Sequence, residues 1–174
     1  TSDEIFELET IPSRIAVIGL GAIGLELGQA FHRLGSTVTG FDLANTIGGI
    51  TDPEISKEAI NQIRKEFSVH LGSAVELKQV ATGIEVSNGT ETVTVDKVLV
   101  SMGRRSNTPS LKLPEIGIEC DESGLPLNID PLNLNIPETN IYIAGDANGI
   151  RPILHEASDE GRMVAESILK DKVL

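Results

Sequence analysis

The chain contains a single cysteine, Cys120, and that scarcity excludes two chemistries at once. No internal disulfide can form, and no CxxC or Cys/His set is present to hold structural zinc. Cations are scarce as well: 14 lysines and arginines stand against 26 aspartates and glutamates, for a formal net charge of -12. Without a basic stripe to displace counterions, a nucleic-acid backbone is excluded as a partner, and an anionic membrane surface is disfavoured for the same reason. No apolar run approaches the roughly 20 residues that a membrane-spanning helix needs. The opening stretch TSDEIFELET is acidic where a secretion signal would be basic, so the expected location is cytoplasmic. An initiator methionine is also lacking, and residues 1–11 form no clear element. Both features lead to the expectation of a piece cut from a longer protein.

What is present is enough apolar material, 40% over 174 residues, for one domain and part of another. Residues 14–20, RIAVIGL, read as a buried parallel strand ended by glycines. Ile23, Leu27, Ala30, Phe31 and Leu34 recur at helical spacing, and Gly35 supplies the stop. TVTGFD is a second strand. A second helix starts at Thr51, read as the N-cap of a capping box with Pro53 and Glu54, and its core face is expected to carry Ile55, Ala59, Ile60, Ile63 and Phe67.

From Val75 the pattern alternates through VELKQVATGIEVS, turns at Asn88-Gly89 and continues in ETVTVD, an antiparallel excursion. KVLVSMG then returns to a buried strand ending at Gly103. The fold class is therefore α/β: half of a doubly wound, Rossmann-like parallel sheet with helices, with a β meander where a third crossover helix could stand. Residues 12–104 form this domain.

Residues 105–174 read as part of a second. Pro, Asn and Gly dominate up to Asn140, after which NIYIAGDANG predicts a strand that breaks on Gly-Asp. A last helix runs from Leu154 to Lys170 with Met163, Val164, Ile168 and Leu169 on its apolar face. One strand and one helix cannot build a core, so exposed apolar surface along that helix is expected.

Gly19, Gly21 and Gly24 fit GxGxxG between a strand and a helix, the context in which the spacing has a mechanism. Gly19 permits the tight turn, Gly21 lets the backbone approach a pyrophosphate, and Gly24 allows close helix-to-strand packing. The helix N-terminus at Ala22 and Ile23 offers free N–H groups and a positive dipole end to phosphate. Asp42, about twenty residues on, is placed to accept both ribose hydroxyls, and no arginine follows it in Leu43-Ala44-Asn45. The predicted ligand is NAD rather than NADP.

With GLGAIGLELG and YIAGDANG in this order, joined by VSMGRRSNT, the chain resembles the flavin-dependent pyridine nucleotide-disulfide oxidoreductases from Arg14 to about Lys170, most closely the dihydrolipoamide dehydrogenase branch. The resemblance implies an NAD domain set within an FAD domain, with Asp146 bonding the ribityl chain of FAD after Gly145, and the backbone from Ile153 to Ala157, including Leu154 and His155, approaching the flavin. It places Glu26 near the nicotinamide and Gly103 beside the nucleotide. Arg104 and Asn107 fall on the pattern GRxPN and are taken as structural. Two positions depart from it: Ala22 stands where several relatives carry a bulky aromatic, and Ser106 replaces the proline. His155 and Glu160 have the spacing of the family's acid/base pair, but five residues along a helix turn the two side chains about 140° apart, so no such pair is expected.

The resemblance further implies an FAD-dependent NAD oxidoreductase that moves electrons between dihydrolipoamide, FAD and NAD, works as a homodimer and joins a 2-oxoacid dehydrogenase complex. The FAD glycine motif, the CxxxxC disulfide and the acid/base histidine of that family are not among these residues, so this chain alone is expected to be inactive. An NADH oxidase or peroxidase of the same fold, and a self-standing NAD-binding sensor, are the other readings. Cys120, among acidic residues, is not expected to be reactive.

Overall fold

The computed structural model describes residues 4–171 and divides into two compact units, one ending at Gly103 and the other beginning at Arg104. The first opens with a short 3-10 turn, Glu4–Glu7, in the stretch whose sequence shows no element. Strand β1 (Arg14–Ile18) leads into helix α1 (Ala22–Arg33), followed by β2 (Thr37–Asp42), helix α2 (Pro53–Ile63) and β3 (Ser68–Leu71). Strands β4 (Glu76–Val80), β5 (Gly83–Ser87) and β6 (Thr92–Val95) form an antiparallel sheet before β7 (Lys97–Val100) returns to the first. The parallel sheet has the order β3-β2-β1-β7, with Arg14 to Ile18 of β1 paired to Thr37 to Phe41 of β2.

Alternation along β1 explains why the antiparallel sheet exists. Ile15 and Val17 point to one face and pack with Leu20, Phe31, Val38, Ile47, Phe67 and Val69 under α1 and α2. Ala16 points to the other and joins Phe41, Val86 and Val95, so the meander covers the face that a crossover helix would otherwise bury. A central parallel strand needs cover on both sides, and Ala16 and Val17 are both completely buried.

Several expectations are corrected here. β3 was not anticipated: SVHL is short and half polar, and it becomes a strand by pairing with β2 at Thr39↔Ser68 through Asp42↔Leu71. The stretch read as a single hairpin arm from Val75 breaks at residues 81–82 into two strands, making a three-stranded meander. The N-cap of α2 is Asp52, not Thr51. Pro53 has no N–H and suits the first helical position, which makes the preceding residue the cap. The Asp52 carboxylate accepts from Glu54 N at 2.9 Å and Ile55 N at 3.0 Å. Ile55 is 61% exposed and lies outside the core, because the helix turns Ser56, Ala59, Ile60 and Ile63 inward instead. Replacing Asp52 with alanine orphans both N–H groups and is expected to destabilise the chain by about 1 kcal/mol, read as a lower urea midpoint at unchanged slope.

Arg14 and Asp96 tie the start of β1 to the entry of β7. Asp96 accepts from the Arg14 guanidinium at 2.6 Å and from the Arg14 backbone N–H at 2.8 Å. The side-chain bond to Arg14, then the backbone bond, hold this carboxyl below the ordinary aspartate value. A lowered folded pKa stabilises above the unfolded value of about 3.9, and that contribution fades as pH falls through the folded value. Denaturation midpoints are therefore expected to fall more steeply below that pH in the native chain than in Asp96→Asn.

The second unit contains short 3-10 turns at Thr108–Leu111, Leu113–Ile116 and Gly145–Asn148 and the helix α3 (Leu154–Asp171). The strand expected around Tyr142 is only an isolated bridge to Asn135, since no further strand among the described residues pairs with it. The unit nevertheless has a small core, in which Leu113, Ile118 and Ile136 of the Pro- and Asn-rich segment pack with Ile143. On α3, Met163, Val164 and Ile168 are half-buried, and exposure concentrates at Leu154 (86%) and Leu169 (64%). No helix among the described residues is long and apolar enough to cross a membrane.

Candidate functional site

The glycine loop sits at the C-terminal ends of β1, β2 and β7, where an open α/β sheet presents a crevice. Gly19 has φ of +92°, and a Cβ there would lie 2.6 Å from the carbonyl oxygen of Ser101. A Cβ on Gly24 would lie 1.9 Å from the carbonyl oxygen of Gly19 and 2.7 Å from Ser101 Oγ. Both glycines are therefore demanded by the protein's own backbone.

Gly21 is different: a Cβ there would meet no atom within 4 Å. Its φ of -69° and ψ of -172° are open to any residue. Gly21 caps α1 without a side-chain hydrogen bond, so the first N–H groups of the helix, from Ala22 to Gly24, point outward uncapped. Open space, uncapped donors and the positive end of the dipole converge there, which is the geometry a phosphate requires.

Four bonds brace the loop. Gly19 N donates to Phe41 O at 2.8 Å and Gly48 N to Leu20 O at 2.8 Å. Ser101 Oγ donates to Gly19 O at 2.7 Å, a contact between residues 82 positions apart that the sequence reading missed. Asp42 supplies the fourth: Oδ2 accepts from Leu20 N at 2.6 Å, while Oδ1 accepts from Ala44 N at 2.8 Å. The acid picked out for a ribose thus also anchors the loop, and each oxygen retains a lone pair for a hydroxyl.

Other residues singled out in the sequence are placed as follows. Ala22 is exposed beside Gly21 and Ile23 is half-buried. Glu26 is exposed on α1 beyond the first turn. Gly103 follows β7 with φ of +99° and open space around its Cβ position.

In the second unit, Gly145 has φ of +70° and approaches α3 closely, a Cβ there lying 3.1 Å from that of Ala157. Its N–H donates to Glu160 Oε2 at 2.6 Å, and Asn148 Nδ2 donates to the same oxygen at 2.8 Å. Glu160 therefore organises the Gly-Asp turn and makes no pair with His155, which is exposed like Leu154. The Asp146 carboxylate is ion-paired through Oδ2 with Arg104, leaving Oδ1 as an acceptor. Ser106 donates to Ala147 O at 2.8 Å, so the residue replacing the family's proline adds a second tie to the turn. Asn107 caps the following 3-10 turn with no side-chain bond.

The family described as pyridine nucleotide-disulphide oxidoreductase matches residues 1–161. Dihydrolipoyl dehydrogenase of Chlamydia muridarum is 33% identical over 173 residues, taking in 98% of this chain and 37% of that protein. Mercuric reductase of Staphylococcus aureus is 35% identical over 176 residues, taking in 97% of this chain and 32% of that protein. The chain thus spans about a third of the length of these curated relatives. The structure of the HOCl-induced flavoprotein disulfide reductase RclA from Escherichia coli superposes with a TM-score of 0.84 at 25% identity, covering 95% of this chain and 38% of that one.

Proposed function

This chain belongs to the pyridine nucleotide-disulphide oxidoreductase family, and from that premise we propose that it is the nucleotide-handling part of an FAD-dependent NAD oxidoreductase of the dihydrolipoyl dehydrogenase kind. Residues 12–104 bind NAD(H), and residues 105–174 contribute to the binding of FAD. The single observation that carries the NAD reading is Gly21. Of the three motif glycines it alone is not required by any protein atom, and the space it leaves lies in front of uncapped helix N–H groups.

In this reading the pyrophosphate is held by the N–H groups of the loop and of Ala22 and Ile23, with Gly24 keeping the helix close to the strand. Asp42 accepts the ribose hydroxyls while holding Leu20 N, and its negative charge disfavours a 2′-phosphate. Glu26 and Gly103 flank the nicotinamide end. When bound, the nicotinamide and flavin supply two-electron chemistry; the residues here bind and orient them.

For FAD the fit rests on Gly145 and Asp146. The turn presents one free carboxylate oxygen to a ribityl hydroxyl, and α3 begins at Leu154 with Leu154 and His155 exposed and Ala157 half-buried against Gly145. These 174 residues hold one cysteine, so dithiol exchange with lipoamide is assigned to the longer protein, together with its homodimer contacts and its place in a 2-oxoacid dehydrogenase complex.

Calorimetric titration of this chain with NADH, NADPH and FAD tests the reading. Binding of NADH in preference to NADPH is expected. Absence of NADH binding by a chain with a cooperative thermal transition would overturn it.

A further inference from the structure

The antiparallel sheet of the first unit has the order β4-β5-β6, so the outer side of β4 is paired to no strand among the described residues. Glu76, Leu77, Lys78 and Gln79 are all exposed along it. The register shows which backbone groups are unspent. Val80 pairs with Gly83 across a two-residue connection, which is too short for any but a directly hydrogen-bonded pair. Val80, Lys78 and Glu76 therefore spend their N–H and C=O groups on β5, and Leu77 and Gln79 turn theirs outward. An edge of this kind is a template for another strand.

The side chains fit that strand to a second copy of β4. Antiparallel pairing about a two-fold axis at Leu77 sets Leu77 opposite Leu77 of the second copy, joined by the outward backbone groups of both. The same register sets Glu76 opposite Lys78 of the second copy, and Lys78 opposite its Glu76, in the closer pairs where side chains interact most strongly. Moving the axis to Lys78 would oppose two lysines, so charge selects the Leu77 register. Neither Glu76 nor Lys78 has a side-chain partner among the described residues.

Leu77 lies opposite Val86, on the core-facing side of the meander, yet is 50% exposed at its rim. Pairing at Leu77 would carry that core across the axis. Gln79 does not obstruct the edge, because its Nε2 turns back to Gly83 O at 2.9 Å. The chain carries a net charge of -12, which makes copies repel, but the segment ELKQV is neutral.

We propose that β4 is a self-association edge, through which two copies of this chain join their three-stranded sheets into one continuous antiparallel sheet. One strand per copy falls short of the roughly 1,200 Å² of a standard stable interface, so the association is weak and depends on concentration. It lies within the first unit and requires no nucleotide.

Sedimentation of the 174-residue chain from micromolar to millimolar concentration, with hydrogen exchange at both ends of that range, tests the proposal. A reversible dimer is expected, with the Leu77 and Gln79 amides protected only at high concentration. Lys78→Glu and Glu76→Lys, each folded by its thermal transition, are each expected to weaken association about tenfold, since two symmetry-related pairs become repulsive. An equal mixture of the two variants restores complementary pairs and is expected to recover the dimer. Glu76→Lys faces only Ser87 on β5, so it stays informative if Lys78→Glu, which faces Glu85, misfolds. A chain that stays monomeric at millimolar concentration overturns the proposal, as does a dimer that neither variant weakens, which places the contact elsewhere. Protection of Leu77 and Gln79 that is independent of concentration assigns the edge to a segment of the same chain and overturns it as well.

Discussion

Gly24→Ala is expected to cost the chain about 3 kcal/mol or more, while Gly21→Ala leaves its stability nearly unchanged and removes most of its affinity for NADH. The methyl at position 24 would sit 1.9 Å from the carbonyl oxygen of Gly19. That oxygen belongs to the backbone, so no rotamer change relieves the contact, and α1 must move away from β1. Alanine's better helix propensity, up to about 1 kcal/mol, does not offset this. A thermal midpoint lowered by roughly 10 °C or more is the readout for a unit of this size.

At position 21 the new methyl meets no protein atom, and the backbone is already extended with a negative φ. Only a small cost from the altered cap is expected. The methyl does occupy the space in front of the N–H groups of α1, and loss of one or two charge-assisted bonds there lowers NADH affinity by about 10- to 100-fold. The opposite outcome, a destabilised Gly21→Ala that still binds NADH with native affinity, would sink the assignment of this loop to a pyrophosphate.

The second large effect is expected at Asp42. Asp42→Ala deletes the acceptor of both Leu20 N and Ala44 N, together with the acceptor proposed for the ribose. Loss of the loop brace costs about 1 to 3 kcal/mol, and NADH affinity falls about 100-fold because the loop and the sugar lose the same group. Asp42→Asn separates the two roles. Its one amide oxygen preserves a single acceptor, but the negative charge is gone and the new NH₂ cannot accept. NADH binding is then expected to weaken about tenfold, while the preference for NADH over NADPH narrows, because a 2′-phosphate no longer faces a carboxylate. Calorimetry of both nucleotides against both variants measures that ratio. An unchanged preference in Asp42→Asn would remove Asp42 from the ribose site and leave it only its bond to the loop.

Much of the first unit was legible because its signals are local. Apolar runs at RIAVI and TVTGF and the helical spacing after Gly24 each depend on residues within a turn or a strand of one another, and the interval from the glycines to Asp42 spans one helix and one strand. Errors arose where a local signal had two solutions. Thr51 and Asp52 are both good caps, and the choice fell to Asp52 because Pro53 takes the first helical position. SVHL has too few apolar residues to announce a strand, and β2 made it one by pairing. NIYIA had the composition of a buried strand but paired only at a single bridge.

The sequence by itself determined the acidic charge, the lack of an internal disulfide among these 174 residues, the alternation of strand and helix, and the GxGxxG spacing between them, since composition and periodicity act through neighbours in the chain. Only the tertiary structure decided which of the three glycines faces open space, that Ser101 and Asp42 brace their loop, and that Glu160 holds the Gly-Asp turn. Each of these depends on where a hydrogen-bond partner or a clashing atom lies, and those atoms come from residues up to 82 positions away, a separation across which local pattern carries no information.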